Sequence, residues 1–318
     1  MRYKVDMPDW KRKFLFLKSG FWGQMSKYKS IINGHLIANL SKAIDNRNIF
    51  TNELSIAAIL KNEADYISEW IEFHKLIGVT KFYLFDNDSD DHLEDVLLTY
   101  ILDGTVELHK LAGEGKQLEA YEQAIRLAKD ETRWLAILDL DEFLLPVTSE
   151  SVVTILNESK KSAMLVGWTI YGSNGFIKRP NGLVLENYTR HADNEFIADY
   201  KIIVNPRKVI RVINPHFVQV IGKTTDSSGK RIWQYPYTNK LEALPAPQDR
   251  IRINHYYSKS LEEFQNKSTR GYADTDSIQR PMRDQKAFAE HDQNIVLDHV
   301  VDAYIPKIKK ALRLRHKF

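Results

Sequence analysis

Residues 134–143 of this chain read Trp-Leu-Ala-Ile-Leu-Asp-Leu-Asp-Glu-Phe, an apolar run followed directly by two aspartates. A run this apolar is typical of a strand that is buried on both faces of a parallel sheet. We therefore predict a strand from Arg133 to Asp139. Because side chains alternate along a strand, the pattern also predicts that the carboxylates of Asp139 and Asp141 point to the same side, at the carboxyl end of this strand.

Working back along the chain, apolar runs alternate with helical periodicity from Glu53 to Glu142. This alternation is typical of βαβ units and predicts an α/β fold, with a Rossmann-like mixed sheet flanked by helices. Asn62 is expected to cap the first helix and Gly78 to end it. The predicted strands are 54–60, 81–85, 105–109 and 133–139, and the predicted helices lie between 62 and 78, at 93–103 and at 116–130.

Beyond Pro146 the periodicity loosens, which predicts an irregular mixed region. Short apolar segments are separated by Gly, Pro and Asn turns. They lie at 163–171, 200–204, 217–221 and 250–254, and helices are expected at 261–269, at 283–291 and after Pro306. Residues 1–50 have no clear period, so we treat them as an N-terminal extension without an assigned role.

The composition restricts the classes of protein. Of the 318 residues, 43% are hydrophobic and 27% are charged, which is typical of a globular protein. Without any cysteine the chain contains no disulfide, thiolate metal site or cysteine nucleophile. An apolar run of about 18 residues and a signal-peptide pattern are both absent from the sequence, so we expect a cytoplasmic location.

The net charge is +3, and the excess of basic residues is concentrated at the two ends. Residues 1–30 contain eight Lys and Arg against two Asp, and residues 307–318 contain six Lys and Arg and no acidic residue. The remainder is acidic, which argues against a nucleic-acid partner. The basic ends instead suggest peripheral contact with an anionic membrane, at the inner face of the plasma membrane.

The C-terminal segment, residues 299–318, predicts a basic amphipathic helix. Its apolar face consists of Val301, Ile305, Ile308 and Leu312, and its charge comes from Lys307, Lys310, Arg313 and Lys317. Two interpretations stay open. The helix either lies at a membrane interface or docks on the protein with its basic side in solvent.

Two acidic clusters follow predicted strands, at the edge of the sheet where open α/β folds bind ligands. Asp139 and Asp141 repel each other, and a divalent cation is the simplest compensation. The alternative is a pair of aspartates in salt bridges or helix caps. The second cluster, residues 86–91, is either a ligand site or an Asx-rich turn.

The sequence resembles glycosyltransferase family 92, a GT-A type of enzyme, and its bacterial relatives. In the first half the shared blocks are K-N-E-x3-I-x-E-W-x2-F-H-x3-G-V at 61–79, F-D-N-x-S-x-D at 85–91 and W-L-x3-D-x-D-E-F-L at 134–144. In the second half they are W-x3-G-S-x-G at 168–175, R-P at 179–180, K-x3-N-P at 201–206 and H-Y-x2-K-S-x2-E-F-x2-K-x2-R-G at 255–271.

The resemblance implies a GT-A fold, a nucleotide-diphospho-sugar donor, expected to be a UDP-sugar, and Mn²⁺ or Mg²⁺ as the cofactor. It implies that Asp86 or Asp88 contacts the nucleoside. It also identifies Asp139 and Asp141 as the metal-binding Asp-x-Asp motif, with Asp141 the direct ligand. The chain then divides into a nucleotide-binding half at 51–146 and an acceptor-binding half at 147–298.

Other residues are candidates for the same site. Lys259, Lys267 and Arg270 lie on or beside one predicted helix and would neutralise the diphosphate, unless they form a solvated face. His255 is the candidate for a third metal ligand, because GT-A enzymes often recruit a histidine from the far end of the fold. The alternative for His255 is a packing role, which is also our interpretation of His74.

The resemblance favours a transfer that inverts the anomeric carbon, with a glycan or cell-surface polysaccharide as acceptor. A carboxylate is then needed to deprotonate the acceptor hydroxyl. The candidates in the second half are Glu186, Glu195, Asp199 and Asp226, and the sequence does not choose among them. His216 is a minor candidate for a metal ligand.

Two other functions compete with this prediction. A phosphatase of the haloacid-dehalogenase type also places Asp-x-Asp after an apolar strand, with the first aspartate as nucleophile. Its motif usually continues with Thr or Val where this chain has Phe143. A non-catalytic carbohydrate-binding protein with a decayed metal site is the other alternative, and the presence of both Asp139 and Asp141 argues against it.

Overall fold

The computed structural model describes residues 49–148, 151–158, 160–193, 199–232, 248–269 and 284–315. Ten strands within these residues form one mixed sheet, and two further pairs of short strands lie beside it. The predictions for residues 1–48, Glu195, Arg270 and Lys317 lie outside the described residues. The predicted α/β architecture, a mixed sheet flanked by helices, is confirmed.

The predicted elements occur in the predicted order, with small shifts at their ends, and further short strands and helices lie between them. The strands are β1 (Asn52–Leu60), β2 (Lys81–Asp86), β3 (Val106–Lys110), β4 (Thr132–Ile137), β5 (Glu142–Pro146), β6 (Ala163–Ile170), β7 (Arg190–His191), β8 (Tyr200–Val204), β9 (Val209–Asn214), β10 (Phe217–Val220), β11 (Thr224–Thr225), β12 (Arg231–Ile232), β13 (Ile251–His255) and β14 (Val296–Leu297). The helices are α1 (Ala64–Leu76), α2 (Leu93–Leu102), α3 (Gln117–Ala128), α4 (Val152–Asn157), α5 (Val184–Asn187), α6 (Leu261–Thr269), α7 (Gln285–His291) and α8 (Ile305–Arg315), with a 3-10 turn at Pro206–Lys208.

Strands β1 to β4 lie in parallel, in the order β4-β1-β2-β3. Parallel strands place their carboxyl ends together, and we call this side of the sheet the carboxyl edge. The second half extends the same sheet, because β8 pairs antiparallel with β4, β6 pairs antiparallel with β8, and β13 pairs in parallel with β6. The region predicted to be irregular is therefore part of the central sheet. Its strands are short, and partners distant in sequence stabilise them.

Helices cover both faces of the sheet, so the parallel strands are buried on both sides. Along β1, Ile56 belongs to the apolar cluster around Trp70 of α1, and its neighbour Ala57 belongs to the cluster around Tyr121 of α3. Successive side chains thus enter opposite layers of the core. This arrangement accounts for the continuous apolar runs of the first half.

The N-terminus of α1 differs from the prediction, because Asn62 does not cap it. The Asn62 backbone has a φ of 55°, and its side-chain oxygen accepts a hydrogen bond from Asp90 N at 2.9 Å. The helix begins at Ala64, whose N–H donates to the Asp91 carboxylate at 2.9 Å. The cap therefore comes from the loop after β2, which a local capping pattern cannot reveal.

The apolar face predicted for the C-terminal segment is covered by the protein. Val301 and Ile308 are buried, and Ile305 and Leu312 pack against the core cluster that contains Trp70. This packing supports the docked interpretation over a helix whose apolar face enters a membrane. Among the described residues, no helix combines the length and the apolar character needed to cross a bilayer.

His74 of α1 is a buried packing residue that joins this helix to β5. Its Nδ1 lies 2.7 Å from the Trp70 carbonyl oxygen, and its Nε2 accepts a hydrogen bond from Leu144 N at 3.1 Å. Because a carbonyl oxygen can only accept, Nδ1 carries the hydrogen and the ring is neutral. Burial lowers the pKa of His74 to about 3.

We predict that His74→Phe lowers the free energy of unfolding by about 1 to 3 kcal/mol at pH 7, because it leaves Leu144 N without this acceptor. Below pH 6.5 the unfolded chain protonates His74, whereas the folded chain does not until about pH 3. The free energy of unfolding of the native protein therefore decreases as the pH falls. The difference in this free energy between the native protein and the variant decreases by about 2 kcal/mol between pH 7 and pH 5.

Urea unfolding at the two pH values measures this gap. His299→Phe is the matched control, because His299 is exposed and pairs with Asp302 on the surface. If the difference in free energy of unfolding between the native protein and His74→Phe is the same at both pH values, His74 is not a neutral, buried residue.

Candidate active site

The two aspartates of the Asp-x-Asp motif lie in a turn at the carboxyl edge. Strand β4 ends at Ile137 and β5 begins at Glu142, whose N–H donates to the Asp139 carbonyl oxygen at 3.1 Å. The predicted alternation is therefore wrong for this pair, since a turn replaces the extended backbone. As a result, Asp139 and Asp141 have different partners.

Asp139 is paired with a buried lysine. Lys201 of β8 is fully buried, and its Nζ lies 2.7 Å from Asp139 Oδ2. Asp139 Oδ1 accepts hydrogen bonds from Tyr121 OH at 3.1 Å and from Gln117 Nε2 at 3.2 Å. Burial raises the pKa of Asp139, but the charge of Lys201 outweighs burial and the net pKa is lowered. Asp139 is therefore an anion with a counterion from the protein itself.

Glu142 is the second carboxylate beside Lys201. It is fully buried, and its Oε1 lies 3.7 Å from Lys201 Nζ. Its Oε2 accepts a hydrogen bond from Asp139 N at 3.0 Å, while its Oε1 has no hydrogen-bond partner among the described residues. Burial raises the pKa of Glu142 well above the usual range, although the charge of Lys201 opposes this shift.

Asp141 contacts residues from the far end of the chain. Lys267 Nζ of α6 pairs with its Oδ2, and His255 Nε2 at the end of β13 lies 3.4 Å from its Oδ1. Burial raises the pKa of Asp141, but Lys267 and then His255 outweigh burial, and the pKa lies well below the usual range. The structure thus brings together Asp141 and His255, as the sequence suggested.

Three of these side chains have the geometry of a metal site. Asp141, Glu142 and His255 each offer a ligand atom, and these atoms lie within 4.8 Å of one another. Two buried atoms of this cluster, Glu142 Oε1 and His255 Nδ1, have no hydrogen-bond partner in the described part of the chain. A divalent ion with oxygen and imidazole ligands fits this set.

The cluster differs from the predicted metal ligands in one residue. Glu142 joins Asp141 and His255, whereas Asp139 is engaged by Lys201. The argument that a cation is needed to offset repulsion is also weakened, because Lys201 and Lys267 already neutralise the two aspartates. Lysines distant in sequence provide this charge, so the motif alone could not indicate it.

Lys259 places a second ammonium group near Asp141. Its side chain is buried, and its Nζ lies 3.4 Å from the centroid of the Tyr66 ring. Within the described residues no carboxylate pairs with it, and burial lowers the pKa of Lys259. Its backbone is left-handed, with a φ of 48°, and turns the chain into α6. Ser260 then caps α6, accepting from Glu263 N at 3.2 Å.

The acidic cluster at 86–91 forms a network of turn hydrogen bonds. Asp86 is buried and its two oxygens accept from Ser89 N at 3.0 Å and from Lys110 Nζ at 2.7 Å. Asp88 is more exposed and accepts from Gly113 N at 2.7 Å. These contacts support the Asx-turn interpretation, and they leave Asp88 more accessible than Asp86 to a nucleoside.

The described candidates for the catalytic base occupy three different settings. Glu186 pairs with Lys309 on the surface, at 2.6 Å. Asp226 holds a turn together, since its Oδ1 accepts from Ser228 N and from Lys230 N, both at 3.0 Å. Asp199 immediately precedes β8, which places it at the carboxyl edge beside the residues around Asp139. The structure therefore favours Asp199 over Glu186 and Asp226 on position.

Sequence reasoning missed Glu142 and Lys201 as members of the site. Glu142 directly follows Asp141, so the acidic triplet at 139–142 was the available signal. Lys201 stood in one of the family blocks but received no role. Its isolated position in an apolar segment, Tyr-Lys-Ile-Ile-Val at 200–204, is a signal, because a lysine in a buried strand needs a partner.

Comparison with known proteins identifies relatives for this arrangement. The family model described as Glycosyltransferase family 92 matches residues 54–279. A glycosyltransferase family 92 protein of Oryza sativa subsp. japonica is 28% identical over 222 residues, which cover 68% of this chain and 35% of the relative. One from Arabidopsis thaliana is 28% identical over 169 residues, covering 49% and 29%. The chain thus spans about a third of the length of these relatives.

Among solved structures, the chain is similar to S. aureus TarS 1-349 in complex with UDP-GlcNAc. The TM-score is 0.35 and the identity 15%, with 48% of this chain and 45% of the other covered.

We predict that Lys201→Met lowers the free energy of unfolding by about 3 to 5 kcal/mol at pH 8, because the buried Glu142 and the partly buried Asp139 lose their shared counterion. The loss should be smaller at pH 5. Without Lys201 the lowered pKa of Asp139 and the already raised pKa of Glu142 both rise, so protonation stabilises the folded variant.

Urea unfolding of the native and variant proteins at both pH values measures the effect. Lys81→Met is the control, since Lys81 Nζ lies 3.5 Å from the Glu107 carboxylate in a more exposed pair. A loss no larger than that of the control, or a larger loss at pH 5, would contradict the role of Lys201.

Proposed function

We propose that this chain, which belongs to glycosyltransferase family 92, transfers a sugar from a nucleotide-diphospho-sugar to a glycan hydroxyl. The observation that carries the proposal is a cluster of metal-ligand side chains beside two ammonium groups. Asp141, Glu142 and His255 form the cluster, and Lys259 and Lys267 supply the ammonium groups. A cation site next to an anion site is what a metal-bound diphosphate requires.

In this proposal Asp141, Glu142 and His255 hold Mn²⁺ or Mg²⁺. When bound, such an ion offsets the negative charge that develops on the diphosphate as the sugar-phosphate bond breaks. Asp139 and Lys201 have a different role. They form an ion pair, in which the lysine is fully buried, that keeps the turn between β4 and β5 in place, so that Asp141 and Glu142 face His255.

The two lysines recognise the phosphates. Lys259 is the stronger candidate, because its buried ammonium contacts the Tyr66 ring and forms no ion pair among the described residues. Lys267 contacts Asp141 and the Tyr257 carbonyl oxygen, the latter at 3.3 Å. A phosphate oxygen near Lys259 would gain a charge-assisted hydrogen bond in a site that is already desolvated.

The finer features of the reaction are also proposals. We propose a UDP-sugar as donor, with Asp88 rather than Asp86 facing the nucleoside, since both oxygens of Asp86 have partners. Inversion at the anomeric carbon and a glycan or cell-surface polysaccharide as acceptor are expectations drawn from the family. A cytoplasmic location at the inner face of the plasma membrane stays a prediction.

The metal assignment predicts that a chelator abolishes the release of UDP from UDP-sugars and that added Mn²⁺ restores this activity. Asp141→Asn should lower kcat/KM at least about 100-fold, because a charged ligand is lost. His255→Ala should raise the Mn²⁺ concentration for half-maximal activity about 10-fold to 100-fold. Mn²⁺ binding measured by electron paramagnetic resonance should weaken in both variants.

Asp103→Asn is the matched control, because Asp103 pairs with Arg315 at the surface, at 2.9 Å. Full activity of the native protein in chelator, with no bound metal, would refute the cluster as a metal site.

The anion site predicts that Lys259→Met weakens the binding of UDP about 10-fold to 100-fold, through loss of a hydrogen bond to a charged group worth about 1.5 to 3 kcal/mol. Binding of uridine, which has no phosphate, should not change. Calorimetric titration with both compounds separates the two effects. Lys309→Met, which removes the surface partner of Glu186, is the control. Equal weakening of UDP and uridine would show that Lys259 supports the fold instead.

A further inference from the structure

Two imidazole rings lie against the indole of Trp168, near the end of β6. The ring centroids are 4.2 Å apart for His255 and 5.2 Å apart for His216. His255 belongs to the candidate metal cluster, whereas His216 has no role in the function proposed above. The indole Nε1 of Trp168 is buried and has no hydrogen-bond partner among the described residues, so a donor is available beside both rings.

The hydrogen bonds of His216 determine which of its nitrogens can accept a proton. Its Nδ1 lies 3.0 Å from the Tyr200 carbonyl oxygen, which can only accept. Nδ1 therefore carries the hydrogen, and in the neutral ring the lone pair is on Nε2. That nitrogen forms no hydrogen bond within the described part of the chain. Burial, and then the charge of Lys201, lowers the pKa of His216, which keeps the ring neutral and able to accept.

Asp199 is positioned to support this ring. Its Oδ2 lies 3.8 Å from His216 Nδ1, and its Oδ1 accepts from Tyr200 N at 2.8 Å. A carboxylate at this distance stabilises the imidazolium that forms when His216 takes up a proton. The other charged groups near the ring are Asp139 and Lys201, which form an ion pair with each other.

We propose that His216 is the general base that deprotonates the acceptor hydroxyl and that the charge of the Asp199 carboxylate stabilises the protonated ring. This assignment rests on the proposed glycosyl transfer and replaces a carboxylate base with a histidine. Its support is the arrangement of three groups at one sheet edge. The His216 Nε2 has no hydrogen bond among the described residues, a carboxylate lies next to its Nδ1, and the metal-cluster histidine lies across a shared indole.

The acceptor oxygen forms a bond to the anomeric carbon, while the bond from that carbon to the phosphate oxygen breaks and its electron pair leaves with the nucleoside diphosphate. The acceptor proton moves to His216 Nε2. The imidazolium, stabilised by Asp199, then releases this proton to solvent.

His216→Asn tests the assignment, because the asparagine amide can still donate to the Tyr200 carbonyl but offers no basic nitrogen. We expect kcat for UDP release from a panel of UDP-hexoses, with water as acceptor, to fall about 100-fold to 10,000-fold. KM for the donor and Kd for UDP should stay within about twofold. Asp199→Asn should lower kcat less, by about 10-fold to 100-fold, again without an effect on KM.

Two further variants complete the experiment. His299→Asn, at an exposed histidine, should keep native kcat. His216→Ala should be inactive and partly rescued by added imidazole, which a merely structural role would not allow. The assignment would be overturned by native kcat in His216→Asn, or by a larger loss of kcat in Asp199→Asn than in His216→Asn. In either case, UDP release by the native protein would still uphold the proposed function. Failure of the native protein to bind UDP would overturn both.

Discussion

The ammonium group of Lys201 is the contact on which the site depends. It is fully buried, 2.7 Å from Asp139 and 3.7 Å from Glu142, at the point where β4 turns into β5. Taking carboxylates out of water is costly unless a partner compensates their charge, so the turn can stay in this conformation only with such a cation in place. Asp139 thereby stabilises the turn, and the next two acidic residues, Asp141 and Glu142, lie beside His255.

The topology of the sheet explains how this lysine reaches the turn. Because β8 runs antiparallel to β4, its first residues lie at the carboxyl edge, where Asp199 and Lys201 meet the end of β4. Strand β13 lies parallel to β6 and ends at the same edge, which brings His255 to Asp141. Strands β8 and β13 thus each deliver a side chain to the same place, and the sheet is both the core of the fold and the scaffold of the site.

The turn is also held from the side of the core. Trp70 Nε1 of α1 donates to the Glu142 carbonyl oxygen at 2.7 Å, and His74 accepts from Leu144 N. On the other side, Tyr256 N donates to the Asp141 carbonyl oxygen at 2.8 Å. These contacts bind the backbone of the acidic residues and leave their side chains to the site. A site whose backbone is fixed in this way is preorganised for a ligand.

The sequence by itself determined the order of strands and helices in the first half, the acidic residues at the carboxyl edge and the family, because apolar periodicity and motif spacing are local properties. Only the tertiary structure decided that Asp139 pairs with Lys201, that Glu142 joins Asp141 and His255, that Asp91 caps α1 in place of Asn62, and that His216 lies beside Trp168. Each of these contacts joins residues from different strands or loops. Strand pairing and buried charge compensation produce them, and neither leaves a periodic trace in the chain.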